Sequence, residues 1–161
     1  MDLFERLIGF GAYMSLHSAT WRVHASSLDD LVLIEDSIKW IAGEDCEILI
    51  DKDRAMHGAL QTTIVASIKN KKQSRESLTR LGEDTLIYLL QEDISSRIDE
   101  NKNMHIRLNV ADLVREKISV SSEDADNLIA KGVFKIECYP GDTPERVITE
   151  MIEDILEREI F

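Results

Sequence analysis

The stretch His17-Ser18-Ala19-Thr20-Trp21-Arg22-Val23-His24-Ala25 alternates without interruption: Ala19, Trp21, Val23 and Ala25 fall on one side, Ser18, Thr20, Arg22 and His24 on the other. Successive side chains of an extended chain point to opposite faces, so this pattern predicts a strand with one buried and one wet face. Ser26 and Ser27 then offer cap oxygens for a helix to about Ala42, whose Leu31, Ile34, Ile38 and Ile41 form one apolar stripe and which Gly43 ends. A strand with a helix packed on it is the first unit.

Two strands follow, Cys46 to Ile50 and Leu60 to Ile68, joined by the polar connection Asp51 to Gly58. Ser74 is the expected cap of a helix that stops at Gly82, and a longer helix runs from Glu83 to about Ile98 with Leu86, Leu89, Leu90 and Ile94 inward. Met104, Ile106, Leu108 and Val110 alternate with His105, Arg107 and Asn109 as another one-sided strand, Lys117 to Val120 reads as a shorter one, and Phe134, Ile136 and Cys138 extend the sheet. Thr143 caps a last helix with Pro144 in its first position and a stripe of Val147, Ile148, Met151, Ile152, Ile155 and Leu156. Without strict alternation of strand and helix, this order predicts an α+β fold: a mixed or antiparallel sheet with helices on one face.

The length of 161 residues suits a single domain over 1–161, with a core from residue 14 onward. The segment from Met1 to Tyr13 has helical apolar spacing at Leu3, Phe4, Leu7 and Ile8 and acidic residues where a secretory signal would be basic. It is expected to be a short helical extension docked on the core, or a segment preceding a true start at Met14. No apolar run reaches the ~20 residues of a membrane span, so no membrane partner is expected. The separated Cys46 and Cys138 suggest reduced thiols and a cytoplasmic location.

The formal net charge is -12, and 31 acidic side chains outnumber 19 basic ones, so contact with a polyanion would need a local basic patch. Between positions 69 and 80 such an island exists: Lys69, Lys71, Lys72, Arg75 and Arg80 face the single acid Glu76. The last twenty residues hold the opposite pole, with Asp142, Glu145, Glu150, Glu153, Asp154, Glu157 and Glu159. Arg97 and Arg107, with His105, extend the island if the strand from Met104 lies beside the strand ending at Lys69. Guanidinium groups there would suit phosphate by paired hydrogen bonds.

Catalytic and metal-binding patterns do not assemble. His17 and His24 are an odd number of positions apart in one strand and face opposite ways, and His57 and His105 have no neighbouring His or Cys at ligand spacing. Asp51, Asp53 and His57 could hold a divalent cation and move a proton, but Lys52 and Arg54 interleave with them, as in a solvated hairpin connection. Gly9-Phe10-Gly11 lacks the third glycine and the lysine of a phosphate cradle. The expectation is no enzyme, no cofactor, no metal and no small-molecule substrate.

Met56-His57-Gly58, Lys69-Asn70-Lys71-Lys72, Ser96-Arg97-Ile98-Asp99, Met104-His105-Ile106-Arg107-Leu108 and Phe134-Lys135-Ile136-Glu137-Cys138-Tyr139-Pro140 together resemble an archaeal RNA-binding, exosome-associated family, formerly a domain of unknown function. The resemblance runs from about Leu16 to the last helix. It implies a fold like ribosomal protein L5, RNA binding beside the RNA-degrading exosome, and no catalysis. The RNA-contacting residues expected on this basis are Lys69, Lys71, Lys72, Arg75, Arg97 and Arg107, with His57 near the same edge. The competing expectation is a scaffold domain whose acidic last helix meets a basic protein or a second copy of the chain.

Overall fold

The computed structural model describes residues 15–54, 58–122 and 127–158, so the segment from Met1 to Tyr13 and residue His57 lie outside the described residues. The elements are β1 (Ser15–Ser26), α1 (Leu31–Ala42), β2 (Glu47–Arg54), β3 (Leu60–Ile68), α2 (Lys71–Thr79), α3 (Glu83–Gln91), a 3-10 turn (Ile94–Arg97), β4 (Asn103–Asn109), the short α4 (Val110–Leu113), β5 (Ile129–Glu137) and α5 (Pro144–Arg158). The strands form one sheet in the order β2-β3-β1-β5-β4, and every neighbouring pair is antiparallel. The α+β expectation holds, and of its mixed-or-antiparallel alternatives the sheet takes the antiparallel one.

β1, the strand of uninterrupted alternation, is the middle one. Ala19, Trp21, Val23 and Ala25 are buried, and they share one apolar core with Ile64 and Ala66 of β3, Met104 and Ile106 of β4, and Ala130 and Phe134 of β5. Helices α1, α2, α3 and α5 add Ile38, Leu78, Leu86 and Ile152 to that same core. At its centre the Trp21 indole meets the Phe134 ring edge-on, with centroids 5.8 Å apart and planes at 87°. Gly132 lies directly opposite Trp21 in the β1–β5 ladder, and a Cβ there would come within 2.6 Å of the indole ring. Glycine is therefore required by close approach of the ring, in ordinary extended backbone.

The indole N–H donates to Ser77 Oγ at 2.9 Å, and Ser77 Oγ donates to the Ile41 carbonyl at 2.7 Å. This buried relay joins β1, α2 and α1, and it gives each polar atom on it a partner.

Several local expectations change. Ser26 is still paired with Gln61 in the ladder, so the cap of α1 falls to Asp30, whose side chain accepts from Leu33 N at 3.2 Å. Asn70, not Ser74, caps α2 by accepting from Gln73 N, while Ser74 is buried and bonds back to the Asn70 carbonyl. The connection expected from Asp51 to Gly58 is shorter, because Asp51, Lys52, Asp53 and Arg54 continue β2 against Thr63, Thr62, Gln61 and Leu60. Charged residues are tolerated there because β2 is an edge strand with water on its free side. The helix expected to reach Ile98 ends at Gln91, where Glu92 turns extended and Asp93 caps the separate 3-10 turn. Lys117 to Val120 is not a strand; Val120 alone bridges to Leu108. β5 begins earlier than its aromatic residues suggest, at Ile129.

Gly132→Ala is expected to destabilise the fold by about 1–3 kcal/mol through overpacking against Trp21. Ser77→Ala should cost a similar amount, about 1–3 kcal/mol, by leaving the indole N–H buried without an acceptor. Urea unfolding midpoints check both, and an unchanged midpoint for either contradicts the role given to Trp21.

Candidate nucleic-acid interface

Four of the five cations of the basic island are ion-paired. Lys69 Nζ lies 3.2 Å from Glu47, Lys71 Nζ 2.7 Å from Glu137, Arg75 2.6 Å from Asp154 and Arg80 3.9 Å from Glu76. Arg75 thus ties the island to the acidic last helix, so the two poles read from the chain partly neutralise each other in space. Arg97 pairs with Glu92 at 2.9 Å. Lys72 is exposed on the first turn of α2.

Nor do Arg97 and Arg107 extend the island. β4 lies at one end of the sheet, and β1 and β5 separate it from β3, so the adjacency that would have joined them is absent. The reason is that β5, last in the chain, inserts between β1 and β4, an order that local patterns do not encode.

The outward side of the sheet brings other cations together. Arg22 of β1 is the direct cross-strand partner of Lys131 of β5, and Lys131 is the direct partner of Arg107 of β4. Direct partners in an antiparallel ladder share a face, and strands lie about 4.8 Å apart, so the three form a row about 10 Å across. Lys135 stands farther along β5 on the same face, and His24 and His105 flank the row on β1 and β4. Among the described residues, Arg22, Lys131, Arg107 and Lys135 have no carboxylate within ion-pair distance. The face is graded in charge: its far edge on β2 carries Glu47, Asp51 and Asp53, paired with Ser67, Thr63 and Gln61 of β3.

His24 stands beside the row on β1. Partial burial, then the positive charges of Lys131 and Arg22, hold its pKa below the ordinary value, and its ring contacts Thr63 Oγ1 at 3.0 Å. At the other end of the row, His105 lies 2.8 Å from Asp99. That contact, with backbone N–H groups of Asn103 and Asn101, lowers the Asp99 carboxyl from 3.8 to about 2.

Lys131 and Lys135 were not among the expected contact residues, and neither was Arg22. Their signal was present as outward positions of alternating strands, but it needed the correct start of β5 and the cross-strand register. Asp51 and Asp53 belong to a paired strand and not to a metal-holding loop. Among the described residues no group of His, Cys, Asp and Glu is placed to hold a metal ion. Burial raises the Cys46 thiol above its ordinary value, which favours the inert form.

A family model described as RNA binding matches residues 18–138, most of the chain and the whole of the sheet but its first residues. The chain belongs to this RNA-binding family. No curated protein sequence matches it. Solved structures show the fold of the family. A DUF54 protein of Methanothermobacter thermautotrophicus is 17% identical, with 88% of this chain and 98% of that chain covered at a TM-score of 0.66. A DUF54 protein of Sulfolobus solfataricus is 15% identical, with 89% and 99% covered at 0.61. A UPF0201 protein of Methanococcus jannaschii is 12% identical, with 89% and 95% covered at 0.55.

Because the folded Asp99 value is depressed, its contribution to stability is present above its ordinary 3.8 and is lost as pH falls through about 2. His105→Ala is expected to return the Asp99 titration upward toward 3.8 in a carboxyl NMR experiment. An unmoved midpoint would contradict the contact.

Proposed function

We propose that this member of the RNA-binding family is a non-catalytic domain that holds the RNA phosphate backbone against the open face of its sheet. The observation that carries this reading is the row Arg22–Lys131–Arg107, cations free of carboxylate partners among the described residues in a chain of net charge -12. Phosphate contact supplies most sequence-independent affinity, and guanidinium groups match phosphate geometry. The acidic residues of α5 are on the helix side of the sheet, so bound RNA is shielded from them by the sheet and the core.

The outward positions of the described strands carry no Phe, Tyr or Trp. A face that reads bases by stacking needs such rings. This one is suited to backbone contact with little preference for sequence. Lys69, Lys71, Arg75 and Arg97 take second place in this reading, because each must leave a carboxylate to reach a phosphate. The exosome association implied by the resemblance belongs to the same proposal: a domain that grips RNA without cutting it would deliver substrate to a separate nuclease.

Fluorescence anisotropy with an RNA duplex across a salt series tests the reading. Affinity should fall steeply with salt, and Arg22→Gln, Lys131→Gln or Arg107→Gln should each lower the logarithmic salt slope by about one unit. Lys71→Gln and Arg75→Gln should change it little. The reverse ranking, or binding indifferent to salt, overturns the assignment.

A further inference from the structure

The phosphate row leads into a cleft. Two segments pair with the outer edge of β4: Ile98 bridges to Met104 near its start, and Val120 bridges to Leu108 near its end, with Ser121 N donating to the Arg107 carbonyl at 2.8 Å. Between and beneath them opens a cleft of about 660 Å³, whose walls include Arg107 and Lys131 of the row and Tyr88 of α3. Such a volume falls within the range of ordinary small-ligand clefts.

Its charges are largely settled in advance. Glu92 accepts from the Tyr88 hydroxyl and from Arg97, and these bonds hold its pKa below the ordinary value. Asp99 is engaged by His105 and by backbone N–H groups. Arg107 and Lys131 remain as the cations without carboxylate partners among the described residues. Ser96, Ser121 and Ser122 add hydroxyl groups around the opening. Tyr88, 41% exposed, supplies the aromatic face that the open sheet lacks.

We propose that this cleft receives one unpaired nucleotide of the bound RNA, its base stacked on Tyr88 and its phosphate held by Arg107 and Lys131. The inference rests on the reading of the open face as the RNA backbone site. In the body of a duplex both faces of a base are covered by its neighbours, and an end pair exposes one face but stays tied to its partner, so an unpaired base is the one free to enter the cleft and lay its face on the tyrosine. Arg107 and Lys131 belong to both sites, and a backbone laid along the row therefore reaches the mouth of the cleft. The domain is then selective for RNA form, preferring a duplex with an overhang or bulge, without being selective for sequence.

The test compares two RNA duplexes, one blunt and one carrying a single unpaired nucleotide at its end, bound to the full chain in an anisotropy titration. The wild type should prefer the overhang by about fivefold or more, the range expected for one stacked base. Tyr88→Leu should abolish the preference and leave blunt-duplex affinity unchanged, whereas Tyr88→Phe, which keeps the ring and loses the bond to Glu92, should retain it. Equal affinity of the wild type for both duplexes, or an equal loss on both with Tyr88→Leu, overturns the cleft assignment while the backbone reading stands. Binding of neither duplex overturns both.

Discussion

Trp21, on the middle strand, is packed by both neighbouring elements of the fold, the sheet and the helices laid on it. Its indole lies across the bare backbone of Gly132, meets Phe134 edge-on and reaches Ser77 with its N–H. A large buried aromatic contributes more apolar area than any other side chain, and its polar tip must find a partner. Ser77 supplies that partner and passes the bond to the Ile41 carbonyl, so one side chain seats two helices on the sheet. The same contact pins register. With Trp21 opposite Gly132, Arg22 must stand opposite Lys131, and a slip of one residue would turn every inward side chain outward.

Charge follows from that register. The chain is acidic overall, yet the side of the sheet away from the helices gathers four basic side chains without carboxylate partners among the described residues. The cations most visible in the sequence are elsewhere, and Glu47, Glu137 and Asp154 hold three of them, Lys69, Lys71 and Arg75. An exposed ion pair is worth ~1 kcal/mol or less, so the pairs of Lys69 and Lys71 add little to stability, whereas Arg75–Asp154 is part-buried. Their larger consequence is electrostatic: they offset the charge of Lys69, Lys71 and Arg75, while Lys72 stays unpaired among the described residues and Arg22, Lys131 and Arg107 stand side by side on the open face.

The parts of the fold governed by short-range periodicity were legible. Alternation at His17 to Ala25 and at Met104 to Val110 marked real strands, and Thr143 does cap the last helix, accepting from Arg146 N. Errors arose where a polar side chain had competing uses. Ser26 was spent in the ladder and Ser74 was buried in its helix, so Asp30 and Asn70 became the caps. The interface was the least legible part. Runs of lysine and arginine are conspicuous along a chain, but a row across three strands draws its members from positions 22, 107 and 131, and only strand order brings them together. Lys131 was hidden further because Ile129 and Ala130 begin β5 ahead of its aromatic segment.

An amide NMR titration of the isotope-labelled chain with duplex RNA shows directly which face of the domain meets the backbone. Shifts should concentrate on the outward row and its neighbours, Thr20, Arg22, Arg107, Lys131 and Val133, with α2 and α5 unmoved. Shifts concentrated instead on Lys69 to Arg80 or along α5, with the open face silent, would contradict backbone binding at the row.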